Sequence, residues 1–161
     1  MAKKRVLFVC LGNICRSPMA EAIFNHKIKA RSLTHYFESD SCGTSNYHIG
    51  EPPDSRTIKN LGRNGVNVNH AGRQLTEEDL ESFHYILAMD KSNYHNISRL
   101  TNFQDHSGKV SLMRKFDPEE KDGEVPDPYY GGERGFQEVF EILDRSIDEF
   151  IDHVLEKDQI I

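Results

Sequence analysis

The tightest constraint on this chain is local. Arg5 to Cys10 reads RVLFVC, a nearly continuous apolar run that ends at a short loop, with Ser17 and Pro18 just beyond it. A strand apolar on both alternations has no face to give to water, so it belongs inside a parallel sheet covered on both sides. Pro18 suits the first turn of a helix, and Met19, Ala22, Ile23 and Ala30 follow at helical spacing. Strand, loop and helix open a βαβ unit. In such sheets ligands collect beyond the carboxyl ends of the strands, which is where Cys10 to Ser17 lies.

The rest of the chain repeats the pattern. Residues 35 to 41 suit a second strand, at an edge because it carries Glu38 and Asp40. Pro52 to Leu61 suits a short helix, and Thr76 with Asp79 resembles a capping box opening another. Tyr85 to Met89 (YILAM) is a third buried strand, and Asp90 is placed to cap a helix running to about Leu100. Val110 to Met113 is a weaker fourth strand. Residues 116 to 135 form a long loop rich in Asp, Pro and Gly, and loops of that length in a compact domain are often functional. Phe136, Val139, Phe140, Leu143, Ile147, Phe150, Ile151 and Val154 then form one apolar stripe of a long amphipathic helix. Strands alternating with helices predict an α/β fold of three layers, a parallel sheet with helices on both faces. At 161 residues, with no repeat or linker, one domain over 1–161 is expected.

Charge and cysteine usage narrow the function. Net charge is −6 with acidic residues spread throughout, which disfavours nucleic acid as a partner, although one local pocket can still attract an anion. No apolar run approaches the ~20 residues of a membrane span. Val6 to Leu11 is also too short for the core of a signal peptide. Three cysteines, all within the first 42 residues, make a poor disulfide framework and fit a reducing compartment, so a cytoplasmic location is expected.

The segment Cys10-Leu-Gly-Asn-Ile-Cys-Arg16-Ser17 has what a tetrahedral oxyanion requires. A strand-to-helix loop can curl so that successive amides point inward, and the helix start adds the positive end of its dipole. The amides of Leu11, Gly12, Asn13, Ile14, Cys15 and Arg16 are expected to ring the anion. Gly12 is expected to supply backbone angles that other residues resist, and Arg16 a planar fork for two oxygens. The same field favours a thiolate at Cys10, the nucleophile, and Ser17 is placed to hydrogen-bond the sulfur. Against this stands the bland reading of Cys10 as a buried thiol ending a strand. Zinc is a weaker rival, because Cys10 and Cys15 are too far apart for a knuckle and no second ligand pair follows.

From these residues outward the sequence resembles the low-molecular-weight protein tyrosine phosphatases. The motif CxGNxCRSPMAE stands at Cys10 to Glu21. The resemblance continues through GTSNYHIGEPPDSRT (Gly43 to Thr57), HAGRQLTEEDL (His70 to Leu80), YILAMDKSN (Tyr85 to Asn93) and PDPYYGG (Pro126 to Gly132). It implies a four-stranded parallel sheet, no metal, no cofactor and a phosphotyrosine protein as substrate. It makes Asp127 the general acid, a residue that alone reads as turn chemistry. It places Asn13, Ser41 and His70 in a network that holds the phosphate loop in shape. Tyr47 and Tyr129 become the aromatic walls of the pocket, with Leu11 and Ile14 as its apolar rim. Cys15 would be a redox partner of Cys10 or a packing residue. Cys42, directly after the second strand, departs from the small residue often found there and is either reactive or buried. A monomer is expected, with Tyr47 and Tyr129 offering a route to weak self-association.

Three rivals share parts of this signature. Arsenate reduction on the same fold needs further cysteines, and Phe83 to Leu100 contains none. A protein-arginine phosphatase is the nearer alternative, but members of that branch carry Thr where this chain has Ile14. A non-catalytic phosphate-binding module would not require Cys10, Arg16 and Asp127 together.

Overall fold

A computed structural model describes residues 2–159. Its centre is a four-stranded parallel sheet of β1 (Lys4–Cys10), β2 (Phe37–Gly43), β3 (Tyr85–Ala88) and β4 (Val110–Leu112), in the order β2-β1-β3-β4. The helices are α1 (Arg16–Ala30), α2 (Ser55–Arg63), α3 (Glu77–Ser82), α4 (Lys91–Ser98), α5 (Phe103–His106) and α6 (Gly132–Lys157). Short 3₁₀ turns flank β4 at Ser107–Lys109 and Met113–Phe116.

The apolar run of β1 is buried on both faces. Val6, Phe8 and Cys10 point into one core, packed with Met19, Ile23 and Phe24 of α1 and the stripe of α6. Leu7 and Val9 point into a second core, with Cys42, Leu80, Phe83, Ile97 and Phe103. The period of two that separates the cores is the pleat of a strand sandwiched between helical layers.

Element boundaries differ from expectation in instructive ways. The second strand runs 37–43 instead of 35–41 and is indeed an edge strand. Cys42 therefore lies inside β2 opposite Val9, not after the strand, and is completely buried. In α1 it is Ile28, not Ala30, that reaches the core, while Ala30 is exposed. Pro52 and Pro53 stay outside α2, whose N-cap is Asp54, accepting from the Arg56 amide at 2.9 Å. The expected capping box forms, with Asp79 Oδ2 accepting from the Thr76 amide at 2.8 Å. Asp90 caps α4, accepting from the Asn93 amide at 2.7 Å. The helix α6 starts at Gly132, earlier than its apolar stripe, so the long loop is shorter than 116–135 at both ends. No helix among the described residues is long and apolar enough to cross a membrane.

Candidate active site

At the carboxyl end of β1 the chain turns through residues 11–15 before α1 begins. Cys10 is almost fully buried at the base of that turn. Its Sγ lies 2.9 Å from Ser17 Oγ and accepts from the Asn13 amide at 3.2 Å. Among the described residues, Asn13 is alone in the stretch 11–16 in giving its backbone amide to a protein acceptor. The remaining amides give no bond to protein beside the amino end of α1, as an anion nest requires, whereas the Asn13 amide, expected in that ring, is turned to the sulfur instead.

The residue in the left-handed region is Asn13, at φ 59°, not Gly12. Asparagine tolerates that conformation because its short polar side chain can bond locally. Here Asn13 Nδ2 donates to Ser17 Oγ at 2.8 Å and to Ser41 Oγ at 3.1 Å, while Oδ1 accepts from the Arg73 amide at 3.1 Å. Gly12 instead faces His48, whose ring would lie 3.1 Å from any added Cβ. A second glycine is more tightly fixed. A Cβ on Gly43, opposite Cys10 in the sheet, would sit 2.7 Å from the Leu11 carbonyl. The end of β2 thus presses its bare backbone against the turn.

Behind Asn13 the expected partners Ser41 and His70 are in place, and a further one emerges. His70 Nε2 lies 2.7 Å from Asn13 Oδ1. That amide oxygen can only accept, so Nε2 carries a hydrogen. The other ring nitrogen, Nδ1, faces Glu21 Oε1 at 3.2 Å, and the same carboxylate oxygen accepts from Ser41 Oγ at 2.6 Å. Burial disfavours charge on both: it holds His70 below the usual histidine range and pushes Glu21 up to about 7. Glu21, Asp40 and His70 have ligand atoms within 4.8 Å of one another, but Arg73 already sits there, its Nε 2.8 Å from Asp40 Oδ2.

Arg16 is buried with its fork ordered from behind. Nη1 donates to Asp90 Oδ2 at 2.7 Å and to the Val125 carbonyl at 3.0 Å. Burial alone would lower its pKa, but Cys10, Asp90 and Asp127 together raise it. Asp90 thus caps α4 with one oxygen and orients Arg16 with the other; sequence reading found only the first role. Asp127, half exposed, reaches the site from the loop before α6, with Oδ2 4.0 Å from Arg16 Nη2.

These groups line one cavity of about 370 Å³. Cys10, Gly12 and Arg16 line it together with Leu11, Ile14 and Cys15, and Tyr47, Tyr129 and Asp127 line its mouth. His48 and Tyr130 join them, neither expected in the pocket from the sequence. His48 could have been suspected only through its contact with Gly12. Cys15 packs in the same core as Cys10, and burial, with help from Asp54, pushes its thiol up to about 12. Complete burial likewise pushes Cys42 well above the ordinary thiol range, so it is a packing residue.

Residues 5–160 match the family model described as low molecular weight phosphotyrosine protein phosphatase. The chicken protein of that name is 42% identical over 150 residues, covering 92% of this chain and 94% of its own. A crystal structure of a protein tyrosine phosphatase from Entamoeba histolytica, with Hepes in its active site, superposes at a TM-score of 0.92. It shares 40% identity, covering 97% of this chain and 99% of that one. A Drosophila arginine phosphatase shares the fold at a TM-score of 0.83 and 35% identity, covering 92% and 96%. By sequence and by fold, the chain belongs to the low molecular weight phosphotyrosine protein phosphatase family.

Proposed function

We propose that this protein hydrolyses phosphotyrosine in proteins, and small aryl phosphates, through a phosphocysteine on Cys10. The carrying observation is the sulfur at the floor of the cavity, with Ser17 at 2.9 Å, free loop amides and the Arg16 guanidinium around it. Arg16 and the amides hold the phosphoryl oxygens, and Cys10 Sγ attacks phosphorus as the phosphorus–oxygen bond breaks. Asp127 gives its proton to the departing phenolate oxygen. In the second step the ionised Asp127 takes a proton from water, whose oxygen attacks phosphorus. Sulfur leaves toward the Ser17 hydroxyl and phosphate is released. No step requires a metal or cofactor.

Ile14 and the tyrosines at the mouth suit a flat aromatic ring, the basis for preferring phosphotyrosine to phosphoarginine. A single cytoplasmic catalytic domain acting as a monomer fits this reading. Cys15 is close enough in the chain to capture a peroxide-derived sulfenic acid on Cys10 as a disulfide, releasing water. The test is turnover of p-nitrophenyl phosphate by the wild type and by Cys10→Ser, with rapid acid quench to trap a phosphoenzyme. Cys10→Ser should lose turnover and the trapped species; retained turnover sinks the assignment. Phosphotyrosine and phosphoarginine peptides compared side by side decide the substrate.

A further inference from the structure

Asp127 sits on a segment that the rest of the protein barely holds. Among the described residues, two hydrogen bonds from outside reach the backbone of residues 126–131: the Gly135 amide of α6 donates to the Gly131 carbonyl at 3.2 Å, and Arg56 Nη1 donates to the Tyr129 carbonyl at 2.6 Å, the one that ties the segment to the far side of the site. The same guanidinium lies 4.9 Å from the centre of the Tyr129 ring and 4.8 Å from that of Phe136. Its Nε and Nη2 grip both oxygens of Asp54, at 3.0 and 2.9 Å. Asp54 in turn donates its amide to the Ile14 carbonyl, in the phosphate loop, at 2.8 Å. On the far side, the Tyr129 amide donates to Asp127 Oδ1 at 3.1 Å. A continuous chain of contacts thus runs from the phosphate loop through Asp54 and Arg56 to the acid.

We propose that Arg56 is a positioning residue for Asp127. It sets the height of the 126–131 segment above the phosphate loop and so the distance from the carboxyl to the leaving oxygen. It touches neither the cavity floor nor the reacting atoms. Arginine suits the task because its planar fork serves carboxylate, carbonyl and ring at once, whereas an ammonium serves one of them at a time. The inference rests on the reading of Asp127 as general acid.

The experiment measures kcat/KM for aryl phosphates of graded leaving-group pKa, from p-nitrophenyl phosphate to phosphotyrosine. The enzymes compared are the wild type, Arg56→Ala, Arg56→Lys, Asp127→Ala and the Arg56→Ala/Asp127→Ala pair. A misplaced acid matters little for a good leaving group and much for a poor one. Arg56→Ala should lose about tenfold on phosphotyrosine and much less on p-nitrophenyl phosphate. Arg56→Lys should fall between, and the double variant should be no worse than Asp127→Ala alone. Equal loss on every substrate, or an additive loss in the double variant, overturns the proposal. If Asp127→Ala itself fails to steepen the leaving-group dependence, the acid assignment fails. If it does steepen while neither Arg56 variant does, only the role of Arg56 falls.

Discussion

Two loops meet at the cavity and are built in opposite ways. The phosphate loop is over-determined, with Asn13 and Cys15 buried: Asn13, Ser17, Ser41, His70 and Glu21 brace it from behind, and Gly43 presses against it from the neighbouring strand. The acid loop is exposed, its backbone tied at Tyr129 by Arg56 and at its root by Val125, which bonds Met89 and Arg16. The difference fits the tasks proposed for them. An anion cradle stabilises charge best when its dipoles cannot reorganise, so rigidity there contributes directly to the rate. A group that must clear the way for a protein substrate and its product gains from a looser attachment.

The largest effect should come from the braced side. Arg16→Lys removes the bidentate grip and leaves Asp90 Oδ2 and the Val125 carbonyl without their fork. Turnover of p-nitrophenyl phosphate should fall about 10³-fold, with thermal stability measured in parallel to separate chemistry from folding. A loss near tenfold would mean that the amides alone carry the anion. Next comes the looser side. Asp127→Asn keeps the size and the Tyr129 amide contact but not the proton, so kcat/KM on phosphotyrosine should drop about 10²-fold. The drop should shrink on p-nitrophenyl phosphate. If Asp127→Asn cost more than Arg16→Lys on both substrates, the contrast between the loops would be reversed.

The contrast also explains what could be read from the sequence. β1, the loop after it and α6 announce themselves because their information is local: an apolar run, a cysteine-to-arginine spacing, an apolar stripe. The residues alone single out Cys10, Arg16 and Ser17. They do not single out Asp127, since Asp-Pro in a loop is ordinary turn chemistry, and only the family resemblance pointed to it. Glu21, Arg56, Gly43 and the second role of Asp90 were missed because each acts through a partner distant in sequence: Glu21 through His70, Asp90 through Arg16, Arg56 through Tyr129 and Gly43 through Leu11. The short α5 carries too few residues for a helical period to show. Cys42 was misplaced because Glu38 and Asp40 obscure where β2 ends.

Gly43 gives a middle-sized test of the bracing. Gly43→Ala would drive a methyl to 2.7 Å from the Leu11 carbonyl, closer than real Cβ atoms come. Either β2 or the phosphate loop must shift, at a cost of about 1–3 kcal/mol. Chemical denaturation should register that loss, and kcat should fall by roughly tenfold because the loop amides move with Leu11. Gly50, with nothing near its missing Cβ but a positive φ, is the control: Gly50→Ala should cost stability through backbone strain and leave the loop in place.

The smallest effect concerns the buried His70–Glu21 pair behind the loop, whose titrations have opposite signs. His70 is held below its ordinary value by burial, so as pH falls through about 6.5 the unfolded chain takes up a proton on this imidazole before the native state does. Glu21 is pushed up to about 7, so between 4.5 and 7 the native carboxyl carries a proton that the unfolded chain lacks. Between about pH 4.5 and 6.5 the two effects therefore oppose each other, and the pair's net contribution to the pH slope of stability is reduced. Asp40, 3.9 Å from His70 Nδ1, and Arg73, paired with Asp40, face the same site and are unchanged by the test. Glu21→Gln keeps a hydrogen-bond donor toward Nδ1 but removes the titration. The imbalance at His70 is then exposed, and stability should fall as pH drops below about 6.5, by up to about 1.4 kcal/mol per pH unit. Urea unfolding of both proteins from pH 4.5 to 7.5 reads this directly. A Glu21→Gln curve with the same slope as the wild type's would mean that Glu21 does not offset His70. A new acid-side slope would show the phosphate loop resting on a buried carboxyl and imidazole whose titrations oppose each other.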